Sequence, residues 1–405
     1  MSDLFTPPRL FRTVHFHRHT DRTIGWLELF YDLVYVATLI QIGNFLSDNT
    51  TLQGFAQFLV LTAVVWWAWT GETFYQNRYV VDDLIHRLLV FAQIFAIATL
   101  GISVSQAFGD LYVQFTLAYI VIRFILVVMY LRAARAHPES RAYTQGYAVG
   151  FSLGIVIWFG SLLLPSDIHW VGWLLGIAVE LSVPLIPWMR RQVRQWGTDI
   201  HHISERFGIF TIILLGESFV KILDDAQGTS LGMTQFLFSI SGLLVVYSLW
   251  WLYFSETAGK LIDFASRFKP VAWVYGHLPL SVGLIAFGVG AKKLYSATFD
   301  YPDAPLNPDY RLLYTAAVVL YLVALALIDF GLNDDLTEEN QTEQAVLHLV
   351  CAGIVLALGL TLTGATPALF VTVIAVVMVG QVVYTIYRTE GSGVVEHAQA
   401  ETEPT

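Results

Sequence analysis

Polar and apolar positions do not alternate along this chain. Apolar residues run on for about twenty positions at a time, and each run closes on charge, Gly or Pro. Read this way, the sequence predicts twelve segments: 26–46, 54–75, 84–107, 113–131, 143–164, 169–189, 207–224, 233–254, 272–291, 312–331, 344–364 and 367–387. An apolar helix of about 20 residues crosses the hydrocarbon core of a bilayer. Without strand-like alternation, helices are the way to satisfy the backbone in lipid. The predicted fold is an all-α polytopic membrane protein. Composition points the same way, since 56% of the 405 residues are apolar and 13% are charged. Soluble domains carry roughly 25% charge.

Charge then sets an expected orientation. Of the 22 basic residues, 17 fall at the N-terminus, in alternate loops and at Arg388, all on one predicted side. Lys292, Lys293 and Arg311 lie on the other side, and Arg123 and Lys221 lie inside segments. The positive-inside rule makes the crowded side cytoplasmic, with both termini there. The net charge of −10 sits largely in 334–343 and 390–403, so it does not describe an acidic binding face. No apolar stretch of the cleavable kind precedes Trp26, and the first helix is expected to act as its own insertion signal. A lone Cys351 excludes a disulfide framework. No basic patch with interleaved aromatics supports nucleic-acid binding.

The two halves repeat. Trp66-Trp67 with Glu72-Thr73 recurs as Trp250-Trp251 with Glu256-Thr257, and His86, Ser105 and Phe108 recur as His277, Ser296 and Phe299. Asp110 and Thr116 recur as Asp309 and Thr315, and Gly154-Ile155-Val156 with Gly160 recurs as Gly353-Ile354-Val355 with Gly359, at an offset of 199 (315 − 116, 353 − 154). The expected organisation is a basic N-terminal segment 1–25, a six-helix repeat 26–189, a connector 190–206, a second repeat 207–387 and a polar tail 388–405. Six is even, so the halves enter the membrane alike, as parallel-topology repeats.

Ionisable residues inside a bilayer are expensive and mark candidate sites. Glu28, Tyr31, Asp32 and Tyr35 share one helical face by their spacing of three and four. Glu72 and Glu256 close their segments on the same predicted side, His86 and His277 open theirs, and Glu205 and Arg206 precede the seventh segment. Arg123, Glu180 and Glu217 fall near mid-depth, and Arg123 calls for a carboxylate partner, Glu180 or Glu217. The alternative for Glu217 is an intrahelical pair with Lys221. The candidate ion or substrate residues are thus Glu28, Asp32, Glu72, His86, Arg123, Glu180, Glu205, Glu217, Glu256 and His277.

His201, His202 and Glu205 lack identifiable third and fourth ligands, so no metal or other cofactor is expected. No nucleophile elbow, phosphate loop or zinc-protease motif is present, and nothing requires enzyme chemistry. Trp66, Trp67, Trp69, Trp250 and Trp251 lie near one membrane face, where a belt or packing role competes with a cation cage.

The motifs also carry a resemblance. Leu27 to Val36, with Glu28, Tyr31, Asp32 and Tyr35, is one part of it. His202 to Ile213 with Glu205-Arg206-Phe207-Gly208, followed by Leu215-Gly216-Glu217-Ser218, is another, and His277-Leu278-Pro279-Leu280 is a third. Together they resemble the bacterial low temperature requirement A (LtrA) proteins over roughly residues 15 to 390. The common family form has Phe where this chain has Tyr31 and Tyr35. The resemblance implies a multi-pass bacterial plasma-membrane protein, with no settled chemistry attached. The tandem six-helix plan is similar, as architecture only, to the lysosomal potassium and proton channels. The expected function is a transporter or ion channel whose buried carboxylates bind protons, small cations or a solute. The alternative is a non-transporting sensor or scaffold that binds a lipid or small ligand.

Overall fold

The computed structural model describes residues 15–16, 24–80, 83–165, 167–226, 232–255, 261–262, 266, 268–300, 303–333 and 338–400. Thirteen α-helices occupy most of them. These are α1 (Trp26–Asp48), α2 (Leu52–Arg78), α3 (Leu84–Ser103), α4 (Tyr112–Ala136), α5 (Arg141–Ser161), α6 (His169–Ser182), α7 (Pro187–Gln195), α8 (Ile200–Ala226), α9 (Met233–Phe254), α10 (Lys269–Asp300), α11 (Pro308–Gly331), α12 (Glu338–Thr361) and α13 (Pro367–Ala400). His15–Phe16 pairs with Tyr79–Val80 over two residues.

Each of the twelve predicted segments falls in a helix, and the sixth is broken. Proline supplies the reason, because it lacks the N–H that a helix interior needs and its ring crowds the preceding turn. Pro184 lies in a short 3-10 stretch after α6 and Pro187 opens α7. The two helices are bent by 56°. Among the described residues nine helices are long and apolar enough to cross a membrane, or ten if α6 and α7 form one bent span. α5 and α8 fall short. α5 opens on Arg141 with Tyr143, Thr144 and Gln145, and α8 carries Glu205, Arg206 and Glu217 along its length.

Side chains fix several helix starts by capturing N–H groups that have no partner within the helix. Thr51 accepts from Gly54 N at 3.1 Å, Asp83 from His86 N at 2.8 Å and Asn307 from Asp309 N at 2.9 Å. Glu28 reaches back to Gly25 N at 2.8 Å, tying the start of α1 to a residue that also belongs to the candidate site.

The chain divides into two compact units, Met1–Ile213 with Leu261–Arg267, and Leu214–Lys260 with Phe268–Thr405. In the first, α1 packs on α2 and α3, and α3, α4, α5 and α6 pack in succession. In the second, α10 packs on α11, α11 on α12 and α9 on α13. Close backbone approach holds α10 to α11. Gly276, Gly283 and Gly290 recur every seven residues on one face of α10, and a Cβ at Gly283 would lie 3.0 Å from both Ala317 O and Tyr321 N. At Gly290 it would lie 3.1 Å from Tyr314 Cα. Small residues that let backbones meet are a common means of helix association in lipid, where apolar burial alone gives little drive.

Candidate functional site

Asp32 is the centre of a buried ion network in the first unit. Its position on α1 follows from the polar stripe seen in the sequence: Glu28, Tyr31, Asp32 and Tyr35 are all buried, with Asp32 fully so. Arg206, near the start of α8, grips the carboxylate with two nitrogens, Nη2 to Oδ1 at 2.5 Å and Nε to Oδ2 at 3.1 Å. Trp69 Nε1 donates a third bond to Oδ1 at 2.6 Å. The bidentate fork is the strong form of an Arg–carboxylate pair. Such a pair is tolerated in a dry interior because the remaining donors and acceptors are also matched. Trp69 is itself fixed, stacked on Phe210 at 4.0 Å and edge-on to Phe207 at 4.8 Å.

The network extends to both sides of this pair. Arg206 Nη1 donates to Gln76 Oε1 at 2.8 Å, and Gln76 Nε2 donates to Glu72 Oε1 at 2.9 Å. Glu72 Oε2 accepts from Gln93 Nε2 at 3.2 Å. Glu72 is therefore a fully buried carboxylate whose hydrogen bonds come from neutral amides. On the other side, Glu28 Oε1 lies 3.7 Å from Arg206 Nη1, and Glu28 Oε2 lies 3.4 Å from His202 Nε2. Asn77 Nδ2 donates to His202 Nδ1 at 3.3 Å, which leaves Nε2 as the nitrogen that carries a proton toward Glu28. Asn77 is held in turn by Asp199, through Nδ2 to Asp199 O at 2.8 Å and Asp199 N to Oδ1 at 3.1 Å.

A second ion pair, Arg123 with Glu180, lies in the same unit. Arg123 Nη2 meets Glu180 Oε2 at 2.8 Å, and Arg123 Nε donates to Tyr119 OH at 2.8 Å. Tyr119 OH donates to Glu180 Oε2 at 2.8 Å, closing a triangle. The guanidinium also lies 5.0 Å from the ring centres of Tyr119 and Phe151. Both ends of the pair are fully buried. Two glycines leave the space: a Cβ at Gly71 would be 2.8 Å from Arg123 Nη1, and one at Gly154 would collide with the Glu180 side chain.

The predicted site residues therefore separate. Glu28, Asp32 and Glu72 join one network, and Arg123 takes Glu180 rather than Glu217 as its partner. His86 lies at the start of α3, its ring 6.5 Å from Tyr75 and roughly parallel to it. Glu205 is exposed, as is His201, while His202 between them is buried. Glu217 is half-buried in the second unit. Lys221's side chain and Glu256 lie outside the described residues. His277 is buried in α10, where Nε2 meets Tyr253 OH at 3.0 Å and Nδ1 meets Trp273 O at 2.7 Å. Trp66, Trp67 and Trp69 are buried and Trp250 and Trp251 half-buried, so the first three pack inside rather than line a membrane face. Among the described residues no three His, Cys, Asp or Glu side chains are grouped to hold a metal ion.

Arg206, His202, Gln76 and Gln93 carry no direct sign in the sequence of being partners to these carboxylates. Their link to Asp32 and Glu72 depends on packing between helices, up to 174 positions apart for Arg206 and Asp32. One signal was available: a fully buried Asp in lipid requires a cation, and Arg206 directly precedes the seventh apolar segment.

Stacked apolar helices around paired buried charges define a multi-pass helical membrane protein. The chain belongs to the bacterial low temperature requirement A (LtrA) family, whose pattern it matches over residues 23–383. It is similar to a protein of Rhizobium meliloti (strain 1021) whose printed name is "Uncharacterized protein RA0937". The two are 28% identical over 310 residues, covering 71% of this chain and 75% of that protein.

Proposed function

We propose that this LtrA protein conducts or transports protons or small cations across the bacterial plasma membrane, with the Glu28–Asp32–Glu72 network of the first unit as its ion site. The observation that carries the reading is Glu72, a carboxylate removed from water and held by two neutral amides, one amide away from the Asp32–Arg206 pair. Neutral donors orient an anion but do not cancel its charge, and an uncompensated buried charge is costly. A proton or a partly dehydrated cation supplies the missing charge. Rows of such groups in membrane helices mark ion and proton paths.

The same reading takes twelve crossings, both termini in the cytoplasm and two parallel six-helix repeats. The basic-residue asymmetry and the repeated motifs support it. Within it, the Arg123–Glu180 triangle is scaffold, because every charge there already has an opposite charge beside it.

The test is purified protein in liposomes under an imposed proton, sodium or potassium gradient. The expected result is flux above protein-free liposomes that falls at least about tenfold in Asp32→Asn, a loss of about 1.4 kcal/mol or more. Absence of flux for all three ions, together with a stable co-purifying lipid or protein, overturns the proposal in favour of a sensor or scaffold.

A further inference from the structure

α1 carries polar residues along its whole length. Beyond Glu28, Asp32 and Tyr35, the residues Thr38, Gln41, Asn44 and Asp48 follow at intervals of three or four; each step of three turns back by about 60°, so Gln41, Asn44 and Asp48 stand on a different face of α1 from Asp32. This second polar face opens on a cavity of about 690 Å³ between α1 and the end of α3. Its polar lining includes Thr38, Gln41, Asn44 and Asp48 from α1, with Ser105 and Gln106 from the turn after α3. Asp48 is the one charged residue among those lining it. From Asp48 to Thr38 the helix rises about 15 Å, half of the ~30 Å hydrocarbon thickness. Gly101 opens the floor, where a Cβ would lie 3.0 Å from Thr38 Oγ1.

Past Thr38 the cavity lining turns apolar at Ala37 and Val34, and the tyrosines stand on the neighbouring face of α1, on the way round to Asp32. Tyr35 and Tyr31 are buried, and their hydroxyls bond to each other at 3.0 Å. One helical turn separates Thr38 from Tyr35, and Asp32 with Arg206 lies beyond.

We propose that this cavity is a water-filled vestibule for small hydrated cations, on the membrane side away from Glu28, and that the Tyr31–Tyr35 pair is the dry barrier between it and the Asp32–Arg206 pair. The barrier role rests on the transport reading above. The vestibule does not. A cleft with charge of one sign focuses its field and enriches counter-ions, and the amide and hydroxyl oxygens at its wall replace part of a cation's water shell, as in channel filters. Anions meet the repulsion of Asp48 at the same wall.

Cysteine accessibility tests it in the full chain, with Cys351→Ser as background, in oriented vesicles exposed to membrane-impermeant thiol reagents. Thr50→Cys, just past α1, marks the side. Thr38→Cys, Gln41→Cys and Asn44→Cys are expected to react from that side. Leu33→Cys, exposed on α1 but outside the cavity lining, is expected to react from neither. At Asn44→Cys a cationic reagent should outpace an anionic one of similar size by about fivefold, and adding Asp48→Asn should bring the rates near parity. Unreactive Gln41→Cys and Thr38→Cys would mean a lipid-filled groove and overturn the vestibule. Equal rates for both reagents would overturn the cation preference. Reactive sites in a protein that carries no flux would leave the vestibule standing and remove the transport reading.

Discussion

The two units solve the same problem, packing helices in lipid, with different buried groups at the centre. In the first unit, ion pairs and amide bonds join the helices: Asp32 on α1 to Arg206 on α8, and Glu72 on α2 to Gln93 on α3. In the second, glycines bring α10 against α11, Tyr253 on α9 bonds His277 on α10, and a smaller network joins α11, α12 and α13 through Asp329, His348 and Gln381. The offset of 199 positions between the matching motifs bears on the Arg123–Glu180 pair. At 199 positions on from Arg123 and Glu180 stand Leu322 and Val379. Neither is charged, which fits a packing role for the Arg123–Glu180 pair. Function is expected instead at Glu72, a buried carboxylate held by neutral amides.

The largest effect should come from breaking the central pair. Arg206→Met leaves Asp32 buried with only the Trp69 donor and a distant share of its former network. It should cost about 3–5 kcal/mol, read as a lower melting temperature of the purified protein in detergent. The double change Asp32→Leu with Arg206→Met should recover much of that loss. If the single change leaves melting unaltered, the pair is not closed as described.

The glycine face gives the next effect and tests the other half of the comparison. A methyl at Gly283 meets backbone atoms of α11 at 3.0 Å, and backbone yields little in a packed helix pair. Gly283→Ala should cost about 1–3 kcal/mol by overpacking. Gly353→Ala is the control, because nothing lies within 4 Å of a Cβ there, and it should be neutral or stabilise by up to about 1 kcal/mol through helix propensity. Equal outcomes for the two would contradict close backbone packing in the second unit.

The smallest effect is the sharpest on the meaning of the charges. Arg123→Leu combined with Glu180→Val gives the first unit the residues of the second. A buried ion pair replaced by apolar residues is often close to neutral, so melting should stay within about 1 kcal/mol of the parent, and ion flux should persist. Loss of flux with an intact fold would move the Arg123–Glu180 triangle from scaffold into the ion path.

Much of this was legible in the sequence, because it depends on local periodicity. The helices follow from apolar runs, and the buried face of α1 from the spacing of Glu28, Tyr31, Asp32 and Tyr35. The need for a carboxylate beside Arg123 follows from the cost of its burial. The choice of Glu180 over Glu217 does not, since spacing along a chain says nothing about which helices meet. The bend between α6 and α7 was present in Pro184 and Pro187 but was outweighed by an otherwise continuous apolar pattern. Arg206 is the main residue that sequence reasoning counted for topology and did not assign to the site. Gln76 and Gln93 carry no charge and no motif, so only the fold reveals that they hold Glu72.

Glu72 gives the most direct test of an ion site in the first unit. Glu72→Gln keeps the shape and removes the charge, and the new amide can donate to Gln93 Oε1, a buried acceptor without a hydrogen-bond partner in the described structure. The measurement is proton, sodium and potassium flux into liposomes holding Glu72→Gln, alongside its melting temperature. The account predicts melting close to the parent and flux reduced at least about tenfold, equivalent to about 1.4 kcal/mol. Flux equal to the parent, in a protein that melts with the parent, would contradict it.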